Sequence, residues 1–344
     1  MSWIKEWARR VLSRGLVGSG VTALGRSMYP RGGALILYGH RITDDDEGYL
    51  QGLRPQWFDD QIAYLSRNFE IIPLAELVRC IREHKPVPRK SVILTLDDGF
   101  RDNLEHGLPI LERYHAPATI FLVTGSISTG ALPWSQRLGV LFQRSSLGGF
   151  EHPLFQPAVV DLSTPMRRRK AYLGTKEVMK TLGHIERERV LKELAALLGV
   201  EAPLDRMLSW ADVRAMQARG VDFGVHTYSH SLLGRVPSAD ARWEIERSIL
   251  DFQDNLGYRS PFFCFPAGSL TPDLVSLVAE LGFQSCFQPG MPRVVTLNGT
   301  GNAFSLGRLG LPNGPAALLE AELDGPIPLM RSAKRGLVRA IGLG

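Results

Sequence analysis

Short apolar runs alternate with amphipathic helical segments along most of the chain. Continuous runs such as residues 34–38 and 91–96 are typical of strands that are buried on both faces of a sheet. The predicted strands are 34–38, 69–72, 91–96, 118–123, 222–225, 261–265, 283–287 and 304–311, and the clearest predicted helices are 55–66, 74–81, 238–256 and 272–281. Strands that alternate with helices predict a parallel sheet. Because no Gly-x-Gly-x-x-Gly follows a strand, we expect a (β/α) barrel rather than a dinucleotide-binding sheet.

Several helix ends carry their own sequence signals. Ser209 and Asp212 have the spacing of a capping box, in which each side chain bonds the backbone of the other residue. Thr271 precedes a proline and is expected to cap the helix that begins there, and Gly257 is expected to end the helix over 238–256.

The alternation is interrupted between residues 131 and 208. This stretch has no clear strand but contains two helix-like segments, at 166–182 and 185–198. We interpret it as a helical cap inserted into the α/β body. Its basic run at 167–170 is typical of a solvated helix face.

The composition is that of an ordinary globular protein. Of the 344 residues, 44% are hydrophobic and 22% are charged, which excludes disordered and collagen-like chains. The three cysteines lack C-x-x-C spacing, which excludes a disulfide framework and a cysteine-rich zinc site. The chain has no run of about 18 apolar residues, and its start lacks the apolar segment of a signal peptide. We therefore expect a cytoplasmic protein.

The charge is concentrated at the two ends of the chain. The net charge of +5 is mild for this length, and we expect no nucleic-acid partner. Residues 1–32 and 326–344 combine basic and apolar residues at helical spacing, on either side of a main domain over 33–325. They are either surface helices that pack on a core or segments that rest on an anionic membrane, and both alternatives stay open.

Three polar clusters follow predicted strands, where α/β barrels place their active sites. Asp97 and Asp98 end one strand, His226 and His230 follow another, and a Pro-Ala-Gly turn at 266–268 follows a third. Two imidazoles and one carboxylate suit Zn²⁺, Co²⁺ or Ni²⁺. The second aspartate is then free to act as a base on water, whose pKa such an ion lowers to about 7.

Each cluster alone has an ordinary structural explanation. Asp-Asp-Gly is usually a turn, two histidines four residues apart often lie on a polar surface, and Pro-Ala-Gly can simply end a strand. The combination favours a site, because all three clusters lie at strand ends within one βα series.

The sequence resembles the polysaccharide deacetylase family, the carbohydrate esterases that share the NodB homology domain. Residues 95–99, Thr-Leu-Asp-Asp-Gly, resemble its T-[FL]-D-D-G motif, and residues 226–230, His-Thr-Tyr-Ser-His, match its H-[ST]-x-x-H motif. The resemblance covers about 33–125 and 205–312. It implies a NodB-type distorted barrel with a helical insertion, and the metal-dependent hydrolysis of an N-acetyl group on an amino sugar.

The resemblance also implies a role for each motif residue. Asp97 would be the general base, and Asp98, His226 and His230 would hold the metal, with Zn²⁺ expected and Co²⁺ or Ni²⁺ as alternatives. Ala267 occupies the place where the family supplies a backbone N–H to the oxyanion, which needs no particular side chain.

Two departures from the family pattern concern the groups around the base. Many members carry an arginine that fixes the base, and here Cys264 stands near that place, so another group must orient Asp97. The family's C-terminal histidine is absent, since no histidine follows His230. A branch of the family takes its general acid from a Tyr-His near the first strand, and Tyr38-Gly39-His40 resembles that segment with one glycine inserted. His40 is therefore the expected acid.

We also expect substrate contacts from Tyr38, Pro266 and Trp134, although Trp134 could instead belong to the core of the cap. The expected substrate is an N-acetylated sugar or oligosaccharide, nucleotide- or lipid-linked, in polysaccharide or glycolipid biosynthesis. Three alternatives remain open: a sugar-binding member without catalysis, a hydrolase of another linear amide such as a formamide, and a non-haem iron oxygenase.

Overall fold

The computed structural model describes residue 22 and residues 33–45, 47–154, 159–289 and 301–324. The strands are β1 (Ala34–Gly39), β2 (Glu70–Ile71), β3 (Ser91–Asp98), β4 (Ala118–Leu122), β5 (Gly149–Glu151), β6 (Val159–Asp161), β7 (Asp222–Val225), β8 (Phe262–Cys264), β9 (Ser285–Pro289) and β10 (Leu306–Gly310). The helices are α1 (Pro55–Asn68), α2 (Leu74–Arg82), α3 (Leu108–Arg113), α4 (Thr124–Thr129), α5 (Trp134–Arg144), α6 (Pro165–Met179), α7 (His184–Leu198), α8 (Trp210–Gln217), α9 (Ser238–Leu256), α10 (Pro272–Glu280) and α11 (Ala316–Leu323). Apart from residue 22, the predicted basic segments at 1–32 and 326–344 lie outside the described residues.

Seven parallel strands close into a barrel. Their order is β1-β10-β9-β8-β7-β4-β3, and β3 pairs with β1 to complete the circle. The short strand β2 lies outside this circle and pairs with the start of β3, while the rest of β3 pairs with β4. The predicted distorted (β/α) barrel is confirmed.

Side chains along the strands alternate between the barrel interior and the surrounding helices. On β3, Leu94 and Leu96 belong to the large cluster shared with most of the helices, whereas Ile93 belongs to a second cluster formed by residues of the other strands and of α2. All eight residues of β3 are buried. The same alternation that points Ile93 inward also points Thr95 and Asp97 inward, so the base candidate lies within the barrel near its carboxyl-terminal rim.

The predicted cap has a hydrophobic core of its own, built mainly from α5, α6 and α7. The two predicted cap helices are confirmed as α6 and α7. The expectation that this stretch contains no strand was wrong, because β5 and β6 form a small antiparallel pair. Each of these strands has three residues, too few for an alternating pattern to be recognised.

The predicted helix-end signals are confirmed. Ser209 and Asp212 form both bonds of a capping box at the start of α8. The Thr271 hydroxyl accepts a bond from the Leu274 N–H, and Gly257 ends α9 in the left-handed region.

All three cysteines are buried and free, so they form no disulfide. Within the described ranges, no helix is both long enough and apolar enough to span a bilayer.

Candidate active site

The three strand-end clusters meet at one place on the barrel rim. The carboxylate Oδ1 of Asp98 lies 3.7 Å from His226 Nε2 and 3.4 Å from His230 Nε2. The two imidazole rings lie 5.1 Å apart between centroids. The structure therefore brings together the carboxylate and the two histidines that the sequence singled out as metal ligands, although they are more than 120 residues apart.

The donor atoms of this cluster are free to bind an ion. Both carboxylate oxygens of Asp98 are buried and have no hydrogen-bond partner among the described residues. His226 Nδ1 lies 2.7 Å from the carbonyl oxygen of Cys264, and a carbonyl can only accept. The proton of the neutral ring is therefore on Nδ1, and the lone pair on Nε2 faces Asp98. A buried carboxylate without a donor, beside the Nε2 atoms of two imidazoles, fits a divalent cation.

The acid–base properties of the cluster agree with this assignment. Burial, and then the neighbouring Asp97 carboxylate, raise the pKa of Asp98 to about 8. Burial lowers the pKa of His226 to about 4 and also lowers that of His230. Without an ion, both histidines are therefore neutral at neutral pH, while Asp98 retains a proton that a bound cation would displace.

Metal uptake should therefore release about one proton per site between about pH 5 and pH 7. Asp98 must lose its proton to bind an ion, so the apparent affinity for Zn²⁺ should rise about tenfold per pH unit over this range. Calorimetric titration in two buffers of different ionisation heat counts the released protons. An affinity that does not change over this range would contradict the assignment.

Arg308 holds Asp97, the candidate base. Its two terminal nitrogens donate to the two carboxylate oxygens of Asp97 over 2.8 and 2.7 Å, and both side chains are almost completely buried. Burial favours the protonated form of Asp97, but the charge and hydrogen bonds of Arg308, together with His226 and His40, outweigh burial and hold the pKa of this carboxyl well below its usual value. The base is therefore ionised and fixed in direction.

Arg308 is the orienting group that the sequence left unnamed. It also donates to Thr95 Oγ1 over 3.0 Å and to Cys264 Sγ over 2.9 Å, and its guanidinium lies 4.8 Å from the ring centre of Tyr38. The cysteine at the family's arginine position thus contacts an arginine supplied by another strand, β10. In the sequence, this role was indicated only by the presence of a single arginine in the apolar run 304–311.

A second group of possible ligands overlaps the first and is less suited to a cation. Asp97, His226 and Cys264 also offer donor atoms within 4.8 Å of one another. Both oxygens of Asp97 and the sulfur of Cys264 already accept bonds from Arg308. Burial also raises the pKa of the Cys264 thiol well above its usual value, so the sulfur keeps its proton.

Tyr38 lies near the end of β1, and His40 follows the strand directly, beside the base. Their rings meet edge to face at 5.7 Å, and the His40 carbonyl accepts a bond of 2.8 Å from the Asn103 side chain. Burial lowers the pKa of His40, and the Asp97 carboxylate opposes this shift, which places the ring within electrostatic reach of the base. The role of His40 as the acid stays a prediction.

The Pro-Ala-Gly turn lies at the end of β8. Pro266 is buried, and Ala267 is exposed in the left-handed region with φ 51°. Strained backbone is concentrated around this site, since Asp98, Thr227 and His230 also have positive φ values of 75°, 66° and 58°. The proposed contacts of Ala267 and Pro266 with substrate remain predictions.

Trp134 does not provide an exposed wall for a sugar. It is 1% exposed in the core of the cap, and its indole N–H donates to the His230 carbonyl over 3.0 Å. This burial favours the alternative that Trp134 belongs to the core of the cap, and an aromatic substrate contact stays a prediction. The indole bond supports the backbone of His230, a candidate metal ligand.

A buried ion pair between the cap and α9 also supports the loop over 226–231. Arg187 on α7 and Glu244 on α9 are both buried, and they contact the loop through Ser229 and Ser231. The Ser229 N–H donates to Glu244 Oε2 over 2.8 Å, and Arg187 Nη2 donates to Ser231 Oγ over 2.7 Å. The cap and α9 together therefore hold the loop that carries the two candidate metal-ligating histidines.

Comparison with known proteins finds similarity to polysaccharide deacetylases. The family model described as polysaccharide deacetylase matches residues 84–286. The poly-β-1,6-N-acetyl-D-glucosamine N-deacetylase of Escherichia coli strain K12 is 28% identical over 111 residues, which cover 31% of this chain and 16% of that protein. The protein of the same name from Staphylococcus epidermidis is 29% identical over 115 residues, which cover 29% of this chain and 39% of the relative. The chain thus spans well under half the length of either protein.

Solved structures share the fold at low sequence identity. IcaB from Ammonifex degensii superposes with a TM-score of 0.55 at 17% identity, covering 86% of this chain and 98% of that one. The Streptococcus pyogenes deacetylase PplD, solved with acetate, superposes with a TM-score of 0.54 at 16% identity, covering 84% and 96% of the two chains.

Proposed function

Because the chain belongs to the polysaccharide deacetylase family, we propose that it removes an N-acetyl group from an amino sugar by metal-dependent hydrolysis. The observation that carries the proposal is the pairing of two adjacent carboxylates in opposite environments. Asp98 is buried without a hydrogen-bond partner among the described residues and faces two imidazoles, whereas Asp97 is held ionised by Arg308. The first arrangement suits a metal ligand, and the second suits a general base.

In the proposed hydrolysis, each of these groups has a separate role. A divalent ion held by Asp98, His226 and His230 would act as a Lewis acid on the amide carbonyl and lower the pKa of water. Asp97 takes the proton from the attacking water, and Arg308 keeps its carboxylate aimed at that position. Hydrolysis adds the elements of water across the C–N bond, so the products are acetate and a free amine.

Two further groups complete the proposal at the scissile bond. The backbone N–H of Ala267 donates to the oxyanion, and His40 donates a proton to the departing nitrogen. Tyr38 lies between His40 and Arg308 and lines the same side of the site.

We propose Zn²⁺ as the native ion, with Co²⁺ or Ni²⁺ able to replace it, since the ligand set has two nitrogens and one carboxylate. The proposed location is the cytoplasm, at the inner face of the membrane, with a nucleotide- or lipid-linked N-acetylated sugar as the substrate. Support for the membrane contact comes from the basic ends of the sequence.

Acetate release tests the function directly. Zinc-loaded protein should release acetate from at least one N-acetylhexosamine substrate in a panel of nucleotide-linked, lipid-linked and β-1,6-linked oligomeric forms, and chelation should abolish release. Metal binding without acetate release from any of them would instead favour a sugar-binding protein. Formate release from N-formyl sugars in preference to acetate would identify a deformylase.

A further inference from the structure

The two candidate metal-ligating histidines are held in place by different parts of the molecule. The backbone N–H of His226 donates to the Leu122 carbonyl over 2.8 Å, and its ring Nδ1 lies 2.7 Å from the Cys264 carbonyl. His230 Nδ1 is also buried, but among the described residues it has no hydrogen-bond partner. Metal-ligating imidazoles usually donate the other ring N–H to a carbonyl or a carboxylate, which fixes the ring. The direction of the His230 ring therefore depends on what holds its backbone.

Side chains of the cap and of α9 hold the backbone around His230. Trp134 on α5 donates its indole N–H to the His230 carbonyl over 3.0 Å. Glu244 on α9 accepts bonds from the Ser229 N–H over 2.8 Å and from the hydroxyls of Ser229 and Ser231. His230 and the residues on either side of it are thus each bonded to a neighbouring helix.

Arg187 on α7 completes this arrangement. Its Nη2 donates to the hydroxyls of Ser229 and Ser231, so each hydroxyl accepts from Arg187 and donates to Glu244. Arg187 and Glu244 are 0% and 1% exposed, and Arg187 Nη2 lies 3.7 Å from Glu244 Oε1. The guanidinium also lies 5.3 Å from the ring centre of Trp134. Arg187, Glu244 and Trp134 therefore form one buried network behind the loop.

The loop has a backbone conformation that needs such support. Thr227 and His230 have φ values of 66° and 58°, in a region that bulky and β-branched residues rarely adopt, and a strained backbone persists only where its surroundings hold it. A buried ion pair is a weak source of stability, because apolar residues of similar volume often do as well. What Arg187 and Glu244 supply, and apolar residues would not, is hydrogen bonds that fix the position of the loop.

We propose that this network positions His230 for its metal contact, so that the packing of the cap sets the affinity of the metal site. Arg187, Glu244 and Trp134 are then positioning residues, which act on the ion only through His230. This inference rests on the proposed function and gives the cap a part in it.

The affinity of the full chain for Zn²⁺ tests the inference without turnover. Trp134→Phe removes the indole donor but keeps an aromatic ring, and the double variant Arg187→Met/Glu244→Leu removes both charges, so neither leaves an unpaired buried charge. Each should weaken zinc binding about 10–100-fold, measured by competition with a chromophoric chelator. Glu188→Gln breaks an ion pair with Arg137 inside the cap, one position along α7 from Arg187, and as the matched control it should bind zinc as wild type does.

A double-mutant cycle with His230→Ala separates positioning from a general structural role. If the network acts through His230, removing that ligand first should abolish the effect of Trp134→Phe on the zinc affinity. A general loosening of the site would lower the affinity by the same factor in both backgrounds, and that result overturns the inference. Zinc binding as tight as in wild type, in both network variants, also overturns it.

The same measurements distinguish this inference from the proposed function. A wild type that binds zinc but releases no acetate contradicts the proposed hydrolysis, while the variants still decide the inference. A wild type that binds no zinc would overturn both. An active wild type whose network variants bind zinc equally tightly would overturn the inference alone.

Discussion

Replacing Asp97 with asparagine should lower turnover by about 10²–10⁴-fold and leave one equivalent of zinc bound. Asparagine keeps the shape of the side chain but cannot take a proton from water. The three proposed metal ligands are untouched, because Asp97 bonds Arg308 rather than a histidine. Acetate release and metal content, measured on the same preparation, check both halves of this result.

The adjacent carboxylate supplies the matched comparison. Asp98→Asn should lose zinc and activity together, since it removes the anionic ligand and leaves two neutral imidazoles. An Asp97→Asn variant that remains fully active, or an Asp98→Asn variant that binds zinc as tightly as wild type, would show that the two roles have been assigned wrongly.

Replacing Arg308 with methionine should destabilise the protein by about 3–5 kcal/mol near pH 7, because it leaves Asp97 buried with an unpaired charge. In the wild type, the lowered pKa of Asp97 adds stability that is present above its unfolded pKa and lost on acidification. In the variant, burial alone raises the pKa, so protonation of Asp97 relieves the penalty and the deficit should shrink towards about pH 5. Urea unfolding of the metal-free proteins measures both effects.

Two controls separate charge pairing from lost packing. The double variant Asp97→Asn/Arg308→Met removes both charges and should recover most of the loss caused by Arg308→Met alone. Arg219→Met removes an arginine that pairs with Glu112 at the surface, and it should change stability little. Additive losses in the double variant would mean that Arg308 acts by filling space.

The barrel and the metal cluster could be predicted because their signals are local in the sequence. Each strand of the barrel is a short apolar run with a polar residue where the rim begins, and parallel strands bring those ends together. Asp98 and the two histidines therefore came together as expected. His226 had a further requirement that no motif encodes, the Cys264 carbonyl that fixes its tautomer.

The groups that act on the motif residues were not predictable in the same way. Arg308 reaches Asp97 across the barrel interior from a strand 211 positions away, with β1 between their strands. An arginine in an apolar run does not say which residue it meets. Trp134 was equally hard to place from the sequence. A tryptophan near a site can line a groove or pack in a core, and tertiary packing, which the sequence pattern does not show, buries this one.

The cap residues were missed for a related reason. Arg187 lies on α7, in a segment with many charges of both signs, so nothing in the sequence singles out this arginine. Its bonds to Ser229 and Ser231 arise only when the cap packs against the loop that carries the two histidines.

Anomalous diffraction from crystals of the zinc-loaded protein, collected on either side of the zinc edge, tests the central assignment most directly. We expect one strong peak within about 2.0–2.2 Å of a carboxylate oxygen of Asp98 and of Nε2 of both His226 and His230. A peak held instead by Asp97 and the sulfur of Cys264, or no peak near these residues, would contradict the account.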